Sequence, residues 1–209
     1  MKEVEIMSKI FNPHVALFMG VCMIPQGIRI VSELLCCTVE SMLNETTKYT
    51  ALSERLRWAK EMAIGVAWLH GNSPPLIHRD LKTSNLLADE NGKVKVCDFG
   101  LSEFKSSADG ATSGRPIGTP LYMAPEVMTG GSITEAVDVY SMGLLIWEMI
   151  TRKPVFSNHS NYPVFRKAVC ELRERPPIPP GLLPELEQLM KDCWEHEYSK
   201  RPYRDWETN

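Results

Sequence analysis

The chain is predicted to adopt an α+β fold, a scrap of antiparallel sheet followed by a mainly helical body. Three patterns predict it. Apolar runs at 15–19 and 28–31, parted by "IPQG", read as a strand pair. After Ser53, the residues Leu56, Ala59, Met62 or Ala63, Val66 and Leu69 recur at helical spacing. Residues 132–150, "SITEAVDVYSMGLLIWEMI", are apolar on nearly every face, as a helix enclosed by others must be. With 44% hydrophobic residues over 209 positions there is enough apolar material for a sizeable core.

The elements follow in order. Val4, Met7 and Ile10 open the chain as an amphipathic helix, which Asn12-Pro13 ends. After the strand pair, "SELLCC" (32–37) forms an extended link. The helix from Ser53, its expected N-cap, runs for about five turns. Gly71-Asn72 and Pro74-Pro75 stop it. Leu86-Leu87-Ala88, the turn "DENG" and "KVKVC" (93–97) form a β-hairpin, since Asn-Gly between apolar runs is a strong short-range hairpin signal. Residues 102–120, rich in Gly, Ser, Thr and Ala, read as a long flexible loop. The enclosed helix follows with Thr134 as its N-cap. Helical patterns return at 162–174 and 182–194, joined by the proline run "RPPIPPG".

Charge and composition exclude several roles. The net charge is −3 and no dense Lys/Arg block occurs, so a nucleic-acid footprint is not expected. The greasiest stretch, Met142 to Ile150, contains Glu148 and is too short to span a bilayer. The N-terminus lacks an apolar signal core. Six cysteines without paired metal spacing suit reduced thiols, and the expected location is cytoplasmic.

The chemistry gathers around the hairpin. Its open ends carry Asn85 and Asp98, and neighbouring strands lie about 5 Å apart. An amide oxygen and a carboxylate are therefore predicted to converge there, a donor set that suits Mg²⁺ bridging phosphates. Asp80 precedes Asn85 on the same loop and is placed to orient an incoming hydroxyl. Lys82 supplies positive charge where negative charge develops on a transferred phosphoryl group.

These residues stand within "HRDLKTSN" (78–85), "DFG" (98–100) and "APE" (124–126), in that order, followed by "DVYSMG" (138–143). The set resembles the eukaryotic protein kinase family. "NPHVALFMG", "KTSNLL" and "DVYSMGLLIWEM" resemble its tyrosine-kinase-like group, and Lys82 with Thr119 resembles the serine/threonine kinases. The resemblance implies a kinase-like fold, with a truncated N-lobe and hinge over 1–35 and a helical C-lobe over 36–209. It implies transfer of the ATP γ-phosphoryl group to serine/threonine hydroxyls of protein substrates, with ATP and Mg²⁺. Asp80 would be the catalytic base, Asn85 and Asp98 the metal ligands, and Lys82 and Thr119 the pair that steadies the γ-phosphate and the loop. Ser32, Glu33 and Leu35 would form the gatekeeper and hinge, with Leu87 under the adenine. Met7, Phe18, His78 and Phe99 would stack as an apolar spine, and Gly100 completes "DFG". Asp138 would brace the catalytic loop, Glu126 and Arg201 would form a buried ion pair, and Glu3 stands at the family's αC glutamate. Arg79 would pair with a phosphate placed by an upstream kinase on Ser106, Ser107, Thr112 or Ser113.

The chain departs from the family where a glycine-rich phosphate loop and a strand lysine should precede Glu3, and the final helix is cut short. Residues 1–209 are thus expected to be a fragment, to leave the sheet's edges open, to bind ATP weakly and to transfer little phosphate. A binding-only pseudokinase or scaffold is the alternative function, and tyrosine or dual specificity a variant of the first. The presence of Asp80, Asn85 and Asp98 favours catalysis.

Overall fold

The computed structural model describes residues 2–25, 27–45, 47, 50–105 and 118–202. Helix α1 (Lys2–Met7) buries Ile6 and Met7. It ends one turn sooner than the apolar spacing suggests, because Lys9 and Ile10 donate to carbonyls three residues back and tighten the chain out of the helix. Strands β1 (Phe18–Ile24) and β2 (Gly27–Ser32) pair antiparallel. The first strand therefore lies later than the run 15–19. Val15 and Ala16 are instead buried, and Ala16 N–H donates to the Val96 carbonyl, so that run joins the catalytic hairpin. Met19, Val21 and Met23 are left exposed on β1.

The link 32–37 ends in a short strand, β3 (Cys37–Thr38), and then a helix that the sequence pattern did not reveal, α2 (Val39–Asn44). Thr38 caps it by accepting from Ser41 N–H at 3.0 Å. Helix α3 (Leu52–His70) carries the predicted stripe inward, with Trp58, Met62, Val66 and Leu69 almost wholly buried. Its N-cap is Ala51 and not Ser53, so no side chain caps this end. A short strand β4 (Leu76–Ile77) precedes the catalytic loop. The predicted hairpin is β5 (Leu86–Ala88) and β6 (Val94–Val96), with Leu86 opposite Val96, and β3 adds to its free edge beside β5. Within the expected loop of 102–120, β7 (Glu103–Phe104) pairs with β4.

Beyond a short helix α4 (Pro125–Met128), α5 (Ala136–Thr151) is enclosed as predicted, with Leu144, Leu145 and Met149 at zero exposure. It starts after Glu135 and not Thr134, because the Glu135 carboxylate is held by Lys105 at 3.0 Å. Helices α6 (Tyr162–Cys170) and α7 (Pro184–Cys193) are shorter than their patterns. The proline run between them is anchored by the Trp147 indole, which donates to Pro177 O at 2.8 Å. The core runs from α1 through α3 and the hairpin to α5 as one apolar cluster.

Gly143 sits where α5 meets α7. A Cβ there would stand 2.7 Å from the Cys193 Cβ. An alanine inside a helix normally gains about 1 kcal/mol over glycine. Gly143→Ala should instead cost about 1–3 kcal/mol by forcing the helices apart, as overpacking does. Chemical denaturation of the two proteins checks the sign.

No described helix is long and apolar enough to cross a membrane.

Candidate active site

Between β4 and β5 the chain cannot form sheet, and residues 83–85 turn as a single 3-10 helix closed by Asn85 N–H to Lys82 O. Three side chains meet at the Asp80 carboxylate, Lys82 and Asn85 from this loop and Thr119 from elsewhere. Asp80 Oδ1 accepts from Thr119 N–H at 2.9 Å and from its hydroxyl at 2.7 Å. Asp80 Oδ2 meets Lys82 Nζ at 2.9 Å and the Asn85 amide at 3.2 Å. Lys82 Nζ also donates to the Thr119 hydroxyl at 3.1 Å. Asp80, Lys82, Asn85 and Thr119 are thus one network, although Thr119 arrives from 39 residues away. It is delivered by Gly118, whose left-handed φ of 122° lets the backbone press against Arg79, where a Cβ would lie 2.8 Å from the Arg79 carbonyl oxygen.

The loop is braced from below. The Asp138 carboxylate, 1% exposed at the start of α5, accepts from His78 N–H at 2.8 Å and Arg79 N–H at 2.9 Å. His70, at the end of α3, adds a third contact at 2.8 Å to Asp138 Oδ2. Burial pushes the Asp138 pKa up, but the His70 hydrogen bond, the charges of His70 and His78 and the Arg79 amide outweigh it and hold the carboxyl below its ordinary value. This brace lets Arg79 adopt its left-handed φ of 72° directly before Asp80.

The metal-side residues come from the hairpin's open end. Cys97 N–H donates to Asn85 O at 2.9 Å, which ties the two strand ends together. The Asn85 amide nitrogen is spent on Asp80, leaving its Oδ1 without a protein donor among the described residues. Asp98 is exposed, with a left-handed φ of 66°. A methyl group on Gly100 would stand 3.4 Å from Asp98 Oδ1 and 3.9 Å from Glu3 Oε2, so α1 brings Glu3 to the same corner. Burial, and then the charge of Asp98, raise the Glu3 pKa. Two hard oxygens, Asn85 Oδ1 and the Asp98 carboxylate, fit a Mg²⁺ ion. Cys97 beside them is not a reactive thiol, since burial pushes its pKa up to about 12.

His78 is fully buried. Asp80 N–H reaches its Nδ1 at 3.3 Å, so Nε2–H donates to Cys97 O at 2.9 Å, and the ring meets Phe99 edge-on at 5.3 Å. Met7 and Phe99 belong to the same apolar cluster, and Phe18 packs against it. At the link after β2, Glu33 N–H donates to Leu17 O at 3.0 Å. The Glu33 carboxylate takes Leu17 N–H at 2.7 Å and Lys95 Nζ at 2.6 Å. Ser32 pairs across to Phe18, and Leu87 lies half-buried on β5 between Thr38 and Lys95. Among the described residues the Leu35 amide has no protein acceptor.

Glu126 and Arg201 form a two-pronged ion pair, 2.6 and 2.8 Å, with the Arg201 side chain at zero exposure and over the Tyr140 ring. Arg79 pairs with Glu103 of β7. Ser106, Ser107, Thr112 and Ser113 lie outside the described residues. The sequence reading missed His70, Glu103 and Lys105. His70 had no signal except its place in the last turn of α3, and Glu103 and Lys105 looked like loop residues.

A family model described as "Protein tyrosine and serine/threonine kinase" matches residues 1–205. The chain is 47% identical over 205 residues to the dual specificity protein kinase shkC of Dictyostelium discoideum, covering 96% of this chain and 40% of that protein. It is 46% identical over 204 residues to shkA of the same organism, a dual specificity protein kinase, covering 96% and 39%. It is 38% identical over 205 residues to the serine/threonine-protein kinase CTR1 of Arabidopsis thaliana, covering 97% and 25%. The chain spans two fifths or less of the length of these relatives. The loop built around Asp80 and the match across nearly the whole chain agree, and the chain belongs to the protein kinase family.

Proposed function

We propose that the chain is the catalytic part of a cytoplasmic protein kinase that transfers the γ-phosphoryl group of ATP to serine and threonine hydroxyls of protein substrates. One observation carries the reading: Asp80 is fixed in a single orientation by Lys82, Asn85 and both donors of Thr119. In the transfer, the acceptor oxygen bonds to the γ-phosphorus as the bridging bond to ADP breaks. Asp80 orients the hydroxyl and accepts its proton, and Lys82 faces the charge developing on the phosphoryl group. Mg²⁺ held by Asn85 and Asp98 would neutralise the phosphates. The Leu35 amide supplies a free donor for the adenine edge.

The names of relatives 47% and 46% identical favour a second reading, in which tyrosine hydroxyls are accepted as well. Phosphoamino-acid analysis of a protein substrate, treated with the full-length protein and γ-labelled ATP, tests both. Label on serine and threonine that vanishes on chelating Mg²⁺ is expected. Absence of label from a folded, ATP-supplied protein would overturn phosphoryl transfer and leave the binding-only alternative.

A further inference from the structure

Arg79 resembles a receiver of phosphate, yet the structure gives it a carboxylate, that of Glu103. The Arg79 side chain is only 6% exposed, so its guanidinium needs a counter-charge in place. A cation buried without one is strongly destabilising. The β4–β7 ribbon supplies that charge. Ile77 lies opposite Glu103 and Leu76 opposite Phe104, and Arg79 follows Ile77 by two residues.

The strand that carries Glu103 is held on both sides of it. Ser102, 1% exposed, donates its hydroxyl to His78 O at 3.1 Å. The Phe104 ring packs against the core, with Lys9 Nζ 5.7 Å from its centre. Lys105 N–H donates to Pro75 O at 2.7 Å, and its ammonium meets both oxygens of the buried Glu135 at 3.0 and 3.1 Å. All of these contacts are made by the chain's own groups. The Arg79 backbone is held as well, with its N–H on Asp138 at 2.9 Å and its carbonyl oxygen packed against Gly118. The guanidinium is the third attachment of this residue, and Asp80 comes next in the chain. Glu103 therefore acts on Asp80 through Arg79, as a positioning residue and not a catalytic one. A phosphate brought to this corner would sit beside the Glu103 carboxylate, and the like charges would repel.

We infer that Glu103 supplies from within the chain the negative charge that sets Arg79 and the catalytic loop, so that the protein transfers phosphate without first being phosphorylated on Ser106, Ser107, Thr112 or Ser113. The inference rests on the reading of the chain as the catalytic part of a protein kinase.

The test treats the full-length protein with a broad-specificity phosphatase. Mass spectrometry confirms that residues 101–120 carry no phosphate over the initial-rate period. Transfer to a protein substrate is then compared before and after treatment for the wild type, Glu103→Gln and Glu103→Asp. The wild type is expected to keep its kcat within about twofold. Treated Glu103→Gln should lose about tenfold or more in kcat, with the KM for ATP little changed, as misplacement of a reacting group does. Glu103→Asp should recover part of that loss, because it keeps the charge; shape alone would favour glutamine. The wild-type comparison needs no variant and decides the matter should either substitution misfold. Loss of wild-type transfer on treatment, full activity of treated Glu103→Gln, or an aspartate variant no better than glutamine would each overturn the inference and leave the kinase reading intact. Absence of transfer from the untreated wild type would overturn both.

Discussion

Asp80→Asn is expected to lower phosphoryl transfer by the full protein by about 10²–10⁴-fold, the usual contribution of a positioned general base. Asparagine keeps the size of the side chain, and it keeps one oxygen for Thr119 N–H and hydroxyl. What it loses is the charge that holds Lys82 Nζ at 2.9 Å and the basic oxygen that takes the acceptor's proton. Steady-state kinetics should show the loss in kcat, with the KM for ATP little changed, because Asp80 does not lie on the adenine link. The melting temperature should fall only slightly. Transfer at the unsubstituted rate would remove Asp80 from the mechanism and with it the central observation of the functional reading.

Asp138→Ala is expected to cost about 3–5 kcal/mol, the usual penalty for breaking a buried charged pair on one side. That is a large share of the roughly 5–15 kcal/mol available to a domain. Three donors depend on this carboxylate: the backbone amides of His78 and Arg79 and the His70 ring. Their loss leaves buried polar groups unpaired directly beneath Asp80, so transfer should fail even where the variant folds. Urea unfolding of the wild type, Asp138→Ala and Asp138→Asn measures the cost, with asparagine intermediate because it keeps one acceptor.

The brace also sets a pH dependence. The folded Asp138 pKa lies below its ordinary value of 3.8. A depressed carboxyl stabilises the fold fully above that ordinary value, and the contribution disappears as pH falls through the folded one. Glu148, raised by burial first, works with the opposite sign: its contribution is present when protonated and is lost as pH rises through its folded pKa. Melting curves across the acid range should therefore drop more steeply below pH 3.8 in the wild type than in Asp138→Asn. Identical slopes would show that Asp138 carries no differential proton affinity.

Much of this was legible in the residue order because local signals made it so. The hairpin follows from Asn-Gly between alternating apolar runs, and the α3 stripe and the enclosed α5 follow from periodicity. The chemistry of the loop was legible because Asp80, Lys82 and Asn85 sit close together in sequence. Caps and boundaries were not. Ser53 and Thr134 are good N-cap types, yet α3 begins after Ala51 with no side-chain cap, and α5 begins after Glu135, whose carboxylate Lys105 holds. Helix α2 escaped notice because six residues are too few to show a period.

By itself the sequence determined the kinase motifs, the α+β class and the residue types at the reaction centre, since these depend on short-range spacing. Only the tertiary structure decided which partners each charge takes. Arg79, read as a receiver of phosphate, is paired with Glu103, and His70 joins Asp138 from 68 residues away. Such pairings depend on how α3, α5 and the β4–β7 ribbon pack, and packing is a property of the whole chain that no local window contains.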